Sequence, residues 1–351
     1  MHLQLDEFYM QRCLDLAYKS CSTVFPNPMV GCVIVHKGKI IGEGYHTKQG
    51  TPHAEVHAIE SVKDKELLKD STLYVNLEPC CHYGKTPPCV DMIIKHKIPR
   101  VVIGTLDINP CVKGKGIDKL KANSCHVTIG VLEKSCRELN KRFFTYHEKK
   151  RPYIILKWAQ TLDGFIDMAP DMKEKNKTYW ISNDILKLKV HQWRAQENAI
   201  FVGANTIIND NPQLNVRYCA GNNPSRITFL KESLQPKHFH FFDGTQNSIV
   251  FSTFKNEDQN NLHYYLIKDI EHYLQEIMDK LYELQYLSIL VEGGRKTLDA
   301  LIQNNLWDEA RILIGNKCFG KGLSAPVIPV LPSKTASYNE DKLLYIYNMQ
   351  T

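Results

Sequence analysis

The sequence lacks any apolar run that could cross a membrane, because no stretch approaches the roughly 18 consecutive apolar residues that a transmembrane helix requires. It also lacks an internal repeat, a low-complexity tract and the G-x-G-x-x-G fingerprint of a Rossmann dinucleotide-binding domain. Its N-terminus contains Asp6 and Glu7, where a secretory signal would be apolar. We therefore expect a globular, cytoplasmic protein without a membrane partner.

The chain has little excess charge for its size. The formal net charge is +6 over 351 residues, and basic residues cluster only locally, between Lys141 and Arg151. A nucleic-acid-binding protein usually has a denser basic face with interleaved aromatic residues. The charge pattern favours small anionic ligands and predicts no nucleic-acid partner.

Eleven cysteines are present, but the odd count and the chain length argue against a disulfide framework. Cys13, Cys21 and Cys32 lie among apolar residues and are typical of small core side chains. The remaining cysteines include candidates for metal binding.

The length predicts about two domains, and the charged run near Lys150 is the natural boundary, so we assign residues 1–147 and 151–351. Strand and helix patterns alternate in both halves, which predicts two α/β domains. In the first half we expect a helix over residues 5–19, a hairpin over 30–45 and a final helix over 132–146. In the second half we expect strands near 152–157, 199–203, 227–230, 248–251 and 287–291, and helices over 182–194 and 271–284.

Residues 53–89 contain the parts of a metal site. His53 offers an imidazole, and Cys80 and Cys89 offer two thiolates, which together would give Zn²⁺ three protein ligands and leave one position for water. An open position is typical of a catalytic zinc site. Glu55 is not needed as a ligand, so it can transfer a proton to a leaving amine, as in zinc deaminases.

Two other interpretations of these residues stay open. Cys81 adjoins Cys80 and could replace it as a ligand. A purely structural zinc site would need a fourth ligand, and His57 or His82 could supply it.

The spacing of the two cysteines is unusual, because eight residues separate Cys80 from Cys89, whereas the short form of the motif has two. The long loop resembles that of the bifunctional riboflavin-biosynthesis deaminase/reductase family. Blocks at residues 26–31, 42–46 and 53–58 are similar to that family in the same order. The resemblance implies a cytidine-deaminase-like α/β/α domain in which Asn27, His46, His82 and Lys85 contact a phosphorylated pyrimidine.

In the second half, an apolar strand runs into Gly293 and Gly294 and then into a helical pattern, which suits a phosphate-binding turn. Blocks between Lys157 and Arg217 resemble the reductase half of the same family, whose fold is similar to dihydrofolate reductase. The resemblance implies that NADPH contacts Ala159, Trp180, Thr206, Asp210, Gly294, Arg295, Lys296, Thr297, Leu298, Asp299 and Ala300. It implies that the substrate contacts Thr178, Arg194, Leu214, Arg217 and Glu292, with the two arginines as phosphate partners.

Two features depart from the family pattern. Ala159 stands where glycine is common, and residues 170–177 form a lengthened, lysine-rich loop. Trp180 could instead pack in the core, and Arg194 could be a surface residue near a helix C-terminus.

The sequence thus predicts a homo-oligomeric, bifunctional riboflavin-biosynthesis enzyme that uses Zn²⁺ and NADPH. It would remove the 2-amino group of a diaminopyrimidinone ribosylamino phosphate and then reduce the ribosyl chain. Two alternatives are a nucleic-acid deaminase with an unrelated C-terminal domain and a metal-stabilised nucleotide-sensing module without activity.

Overall fold

The computed structural model describes residues 2–81, 87–108, 114–172, 174, 179–234 and 239–349. The chain divides into two compact units, Met1–Lys150 and Arg151–Thr351. Each unit has its own central sheet and its own hydrophobic core. Among the described residues, no helix is both long enough and apolar enough to span a bilayer.

The first unit alternates helices and short strands. Its helices in the described part are α1 (His2–Tyr18), α2 (Ala54–Ser61), α3 (Cys89–Lys95), α4 (Lys115–Ala122), α5 (Glu133–Leu139) and α6 (Lys141–Lys149). Its strands there are β1 (Gly31–His36), β2 (Lys39–Tyr45), β3 (Thr72–Leu77), β4 (Arg100–Thr105) and β5 (His126–Ile129). A 3₁₀ turn covers Lys65–Asp70.

The strands of this unit form a mixed sheet in the order β2-β1-β3-β4-β5. The hairpin strands pair antiparallel, whereas β3, β4 and β5 run parallel. Successive residues of a strand point to opposite faces: Cys32 and Ile34 of β1 pack with α2, α3 and α4, and Val33 and Val35 pack with α1 and α5. The first unit is therefore an α/β/α sandwich.

The single helix predicted over residues 132–146 is wrong. The structure has two helices, α5 and α6, which meet at Asn140. The Asn140 side chain is buried and hydrogen-bonds the backbone of Met29, to which it donates from Nδ2 at 2.9 Å and from which it accepts at Oδ1 at 2.8 Å. Asparagine side chains that bond the backbone compete with helix continuation, which explains the break.

The second unit contains four helices in its described part: α7 (Asp184–Gln196), α8 (Ala204–Asp210), α9 (Tyr273–Glu283) and α10 (Arg295–Gln303). The strands there are β6 (Tyr153–Thr161), β7 (Phe165–Met168), β8 (Ala199–Phe201), β9 (Ser225–Leu230), β10 (Ser248–Ser252), β11 (Glu257–Gln259), β12 (Leu262–Leu266), β13 (Ser288–Val291), β14 (Glu309–Gly315), β15 (Gly322–Ser324), β16 (Lys334–Tyr338) and β17 (Asp341–Tyr347).

Ten of these strands form one sheet in the order β11-β12-β10-β9-β8-β13-β6-β14-β17-β16, within the described residues. The strands from β12 to β14 in that order run parallel, and the outer pairs are antiparallel. Ile154 and Leu156 of β6 pack with α9 and α10, whereas Ile155 packs with α7. Helices thus cover both faces, and the carboxyl ends of the parallel strands form one edge, where ligands of open α/β sheets usually bind.

Candidate functional site

The structure brings His53, Cys80 and Cys89 together at one edge of the first sheet. His53 directly precedes α2, Cys80 follows the end of β3, and Cys89 is the first residue of α3. Their ligand atoms all lie within 4.8 Å of one another, with Nδ1 of His53 at 3.5 Å from Sγ of Cys80 and 3.3 Å from Sγ of Cys89. A tetrahedral Zn²⁺ ion would hold nitrogen and sulfur ligands roughly 3.5 Å apart. The donor set therefore fits zinc.

The ligand group distinguishes between the two adjacent cysteines. Cys80 belongs to it and Cys81 does not. Hydrogen bonds from Cys89 lower the pKa of Cys80, and the backbone N–H of Cys89 lies 3.3 Å from its sulfur. In the part of the chain that the structure describes, no fourth histidine, cysteine or carboxylate joins the group. His57 is therefore outside it, and His82 lies outside the described residues.

Glu55 lies in the first turn of α2, two residues beyond the predicted ligand His53. Its side chain is buried, and burial raises the pKa of Glu55 to about 7, with a further contribution from the charge of Cys80. The carboxyl group also interacts with the Cys89 side chain. The predicted proton carrier is thus in contact with the predicted metal ligands.

Asn27 and His46 form a second layer beside the ligand group. His46 is buried, and its ring lies 5.2 Å from the ring of His53. Nδ1 of His46 lies 3.3 Å from the carbonyl of Pro52, which can only accept, so Nδ1 carries the proton. Nε2 then accepts from Nδ2 of Asn27 at 3.0 Å. Burial, followed by repulsion from His53, lowers the pKa of His46, which favours this neutral ring.

Glu78 is a site residue that the sequence did not single out. It is buried just before Cys80, and its Oε2 accepts from the backbone N–H groups of Gly114 at 3.1 Å and Asp107 at 3.3 Å. It thus holds the two described ends of the connection between β4 and α4. The predicted substrate residues His82 and Lys85 lie outside the described residues.

A pair of buried asparagines positions the segment that carries Asn27. Asn76 of β3 accepts from the N–H of Gly31 at 2.7 Å and donates to the carbonyl of Met29 at 3.0 Å. Asn140 binds Met29 from the other side. The signal for Asn76 is visible in the sequence, because a lone amide interrupts the apolar strand Thr72–Leu77.

In the second unit, a buried ion-pair cluster lies at the carboxyl end of β13. Glu292 accepts from Nε of Arg194 at 2.7 Å and from Nη2 at 2.8 Å, and Lys157 lies 3.5 Å away. Burial would raise the pKa of Glu292, but the charges of Arg194 and Lys157 outweigh it and lower the pKa to about 2. Arg194 is not a surface residue: only 11% of its side chain is exposed, and its guanidinium is already engaged.

The loop over residues 211–217 lies next to this cluster and carries two predicted substrate residues. Leu214 is buried with a left-handed backbone, φ 54°. The carbonyl of Asn215 accepts from Nη1 of Arg194 at 3.1 Å. The N–H of Arg217 donates to Nδ1 of His191 at 3.2 Å, so the backbone of the loop is attached to α7.

A buried cation supports the same loop from β9. Arg226 is 1% exposed and donates to the carbonyl of Gln213 from Nη2 at 2.8 Å and from Nε at 3.2 Å. Its Nη1 binds Asp243 at 2.8 Å and the carbonyl of His240. Sequence reasoning missed Arg226, because it stands near the start of β9, just before the apolar run at residues 227–230 that predicts the strand.

The predicted glycine turn joins β13 to α10. The N–H of Gly203 donates to the carbonyl of Gly293 at 2.9 Å, and a Cβ atom on Gly203 would lie 2.6 Å from Oγ1 of Thr297, so only glycine fits there. Gly293 has φ 108°, and a Cβ on it would meet no atom within 4 Å in the described structure, so the turn faces open space. Thr206 lies at the same turn, because its Oγ1 would be 3.3 Å from a Cβ on Gly294. This geometry fits the close approach of a ligand phosphate to a helix N-terminus.

The other predicted cofactor residues divide into three groups. Lys296 and Asp210 are exposed, and Ala159 of β6 is half-buried. Trp180 is 52% exposed, so its ring does not pack in the core. Leu298 packs in the main core, with Ala300 against it. Arg295 and Asp299 bind each other. Thr178 lies outside the described residues, as do four of the eight residues of the lengthened loop, 173 and 175–177.

Two family models match the chain. Residues 3–105 match the cytidine and deoxycytidylate deaminase zinc-binding region. Residues 152–340 match the RibD C-terminal domain. The C-terminal half is therefore not an unrelated appendage, and the alternative of a nucleic-acid deaminase with such a domain is wrong.

Relatives match nearly end to end. The riboflavin biosynthesis protein RibD of Aquifex aeolicus is 39% identical over 92% of this chain and 90% of its own length. RibD of Escherichia coli is 34% identical over 90% of this chain and 89% of its own length. A crystal structure from Thermotoga maritima, described as a diaminohydroxyphosphoribosylaminopyrimidine deaminase/5-amino-6-(5-phosphoribosylamino)uracil reductase, is 37% identical with a TM-score of 0.88 and covers 99% of both chains.

These matches confirm the predicted fold class, a cytidine-deaminase-like domain followed by a reductase domain. The ligand group lies at an edge of the first unit's sheet, and the glycine turn lies at an edge of the second unit's sheet. Together with these two features, the matches identify the chain as a member of the bifunctional riboflavin-biosynthesis deaminase/reductase family.

Proposed function

We propose that residues 1–147 deaminate the diaminopyrimidinone ribosylamino phosphate and that residues 151–351 then reduce its ribosyl chain with NADPH. The observation that carries the first half is the convergence of three metal-ligand atoms within 4.8 Å beside the buried Glu55. The chain's membership of the family supports both halves.

His53, Cys80 and Cys89 would hold the zinc ion. When bound there with an open position, zinc supplies an activated water. Glu55 accepts a proton from the attacking water at its carboxylate and delivers it to the 2-amino nitrogen. Water oxygen thereby replaces the amino group on the ring carbon, and the nitrogen leaves as ammonia.

Asn27 and His46 would orient the pyrimidine beside the ligand group, because their hydrogen-bonded pair borders the ring of His53. Correct orientation of a reactant lowers the entropic part of the barrier. By the family pattern, His82 and Lys85 would contact the same substrate.

In the second unit, NADPH would lie against Ala159, Trp180, Thr206, Asp210 and the turn from Gly294 to Ala300. When bound, it supplies the hydride for C1′ of the opened sugar. Thr178, Leu214 and Arg217 would contact the substrate. Arg194 and Glu292 bind each other. We therefore infer that Glu292 contacts the substrate as an ionised carboxylate, whose negative charge Arg194 stabilises.

The two activities separate in one experiment on the full chain. Ammonia release and NADPH oxidation are followed independently, first with the diaminopyrimidine phosphate and then with its deaminated product. We expect Glu55→Gln to abolish ammonia release and to leave NADPH oxidation on the deaminated product unchanged. Equal ammonia rates for wild type and Glu55→Gln would remove Glu55 from the mechanism, and no release by the zinc-loaded wild type would favour the sensing module.

We also infer a homo-oligomer located in the cytoplasm. Sedimentation of the purified chain tests the assembly, and fractionation of the cells that make it tests the location.

A further inference from the structure

Three basic side chains of α7 lie on one face of the helix. Lys187, His191 and Arg194 are spaced by four and then three residues, which places them in a row. His191 binds the backbone of Arg217, and Arg194 binds the backbone of Asn215. The row therefore faces the segment over residues 213–218.

Lys187 lies between two exposed aromatic rings at one end of this row. Its Nζ is 4.1 Å from the ring centre of Trp180 and 4.9 Å from that of Tyr218. Arg217 approaches the same tyrosine, with Cζ 5.1 Å from the ring centre. Hydrogen bonds from Arg217 and then from Lys187 lower the pKa of Tyr218. Two cations thus lie beside the same tyrosine.

These two cations carry charge that no carboxylate balances among the described residues. Glu292 is already paired with Arg194 and Lys157. Nη1 of Arg217 donates to neutral amides, to Oδ1 of Asn215 at 2.7 Å and to Oε1 of Gln213 at 3.4 Å. Arg217 is exposed and Tyr218 is 46% exposed, so an anion can reach the pair from solvent.

The backbone beneath the pair is fixed. His191 is buried and holds the N–H of Arg217, and its ring packs edge-on at 4.5 Å against Tyr218. Arg226 holds the carbonyl of Gln213 from the other side. A binding segment whose backbone is held in place before a ligand arrives loses less entropy on binding.

We propose that Lys187, Arg217 and Tyr218 together bind a phosphate monoester. The ammonium of Lys187 and the guanidinium of Arg217 both lie beside the ring of Tyr218. Together with the phenol hydroxyl they offer three donors of different shape, which suit the three terminal oxygens of such a group. The proposal deepens the proposed reductase function, on which it rests through Arg217, and it adds Lys187 and Tyr218 to the binding residues. The phosphate belongs either to the pyrimidine substrate or to the adenosine ribose of NADPH, because Lys187 lies between Trp180, a predicted cofactor residue, and Tyr218, which follows the predicted substrate residue Arg217.

The test uses the full chain and four variants. Lys187→Gln removes the charge at similar length, Lys187→Arg restores it, and Tyr218→Phe removes only the hydroxyl. Lys189→Gln is the matched control, because it removes a lysine from the same helix two residues away, off the face that carries Lys187. Equilibrium binding is measured by calorimetry with two pairs of probes, ribose 5-phosphate against ribose and NADPH against NADH.

Loss of one charge-assisted contact predicts about tenfold weaker binding of one phosphorylated probe by Lys187→Gln. Its dephosphorylated partner should bind equally to wild type and variant. A loss confined to ribose 5-phosphate assigns the site to the substrate, and a loss confined to NADPH assigns it to the cofactor. Lys187→Arg should recover most of the affinity, and Tyr218→Phe should lose a smaller part.

Unchanged affinity of Lys187→Gln for both phosphorylated probes, or an equal loss with Lys189→Gln, overturns the proposal. The proposed function is tested separately by wild-type NADPH oxidation on the deaminated pyrimidine phosphate. If the wild type oxidises NADPH while Lys187→Gln binds normally, only this inference fails. If the wild type does not oxidise NADPH, the reductase assignment itself fails.

Discussion

The guanidinium of Arg194 donates hydrogen bonds to both carboxylate oxygens of Glu292, at 2.7 and 2.8 Å. Glu292 lies where β13 ends and the glycine turn begins. Both side chains are largely buried, with 11% and 7% exposed. A planar guanidinium matches a carboxylate in two parallel hydrogen bonds, which fixes the carboxylate orientation as well as its charge. The pair thus connects α7 to the edge of the sheet where the glycine turn lies.

Removing Arg194 should destabilise the second unit. Arg194→Met leaves the buried Glu292 with Lys157 as its remaining cation, and breaking a buried pair in this way costs about 3–5 kcal/mol. All four tryptophans, Trp158, Trp180, Trp193 and Trp307, lie in the second unit, so tryptophan fluorescence during urea unfolding reports on that unit. Ammonia release by the first unit serves as the control. An unfolding midpoint equal to that of wild type would contradict the role assigned to the pair.

The same pair predicts a dependence of stability on pH. The pKa of Glu292 in the folded chain is about 2, below its ordinary value of 4.5. Its contribution is therefore complete above pH 4.5 and decreases as the pH falls towards 2. Between about pH 5 and about pH 3, wild type should lose more unfolding free energy than Glu292→Gln, which lacks this titrating group. Parallel losses in the two proteins, followed by tryptophan fluorescence, would show that Glu292 titrates normally.

Arg226 should act on the reductase through the loop that it supports. Arg226→Lys keeps the buried charge but cannot make both bonds to the carbonyl of Gln213. We expect the KM for the deaminated pyrimidine phosphate to rise about tenfold, which corresponds to about 1.4 kcal/mol. The KM for NADPH and the rate of ammonia release should stay near wild type.

Asp243→Asn is the control for Arg226, because it weakens the ion pair and leaves the bonds to Gln213 in place. It should lower stability more than it changes the substrate KM. If Arg226→Lys lowered the unfolding midpoint but left both KM values unchanged, Arg226 would be a structural residue alone.

Chelation should separate the two activities without a mutation. The three ligand candidates His53, Cys80 and Cys89 all belong to the first unit. Removing the metal should abolish ammonia release, and added Zn²⁺ should restore it. NADPH oxidation on the deaminated product should continue at its original rate. Persistent ammonia release in demonstrably zinc-free protein would refute the metal assignment.

The sequence predicts the candidate site and the strands best where residue types and short spacings along the chain carry the signal. The types and spacing of His53, Glu55, Cys80 and Cys89 predict a zinc site, and the structure places these four residues together. Strands with apolar or β-branched runs, such as β6 and β13, were also predicted correctly. Strands β14 and β17 were missed although they extend the central sheet, because the pairing of β14 with β6 and of β17 with β14 is a long-range property.

The sequence patterns do not reveal residues whose role depends on buried contacts with distant parts of the chain. Asn140 ends a helix only because Met29, more than a hundred positions away, brings its backbone to it. Arg226 and His191 matter because the loop over residues 211–217 folds onto them. Arg194 was expected to face a phosphate, but a carboxylate distant in the chain, Glu292, occupies its guanidinium.

The proton on Nδ1 of His46 has a consequence at residue 27. Because Pro52 fixes that proton, the amide of Asn27 must turn its nitrogen towards the imidazole. The amide oxygen then points away from the imidazole, so a ring substituent that meets this oxygen has to bring its own hydrogen. In the proposed substrate complex, a backbone carbonyl would thereby set the amide oxygen of Asn27 to accept from an amino group and not from a keto group.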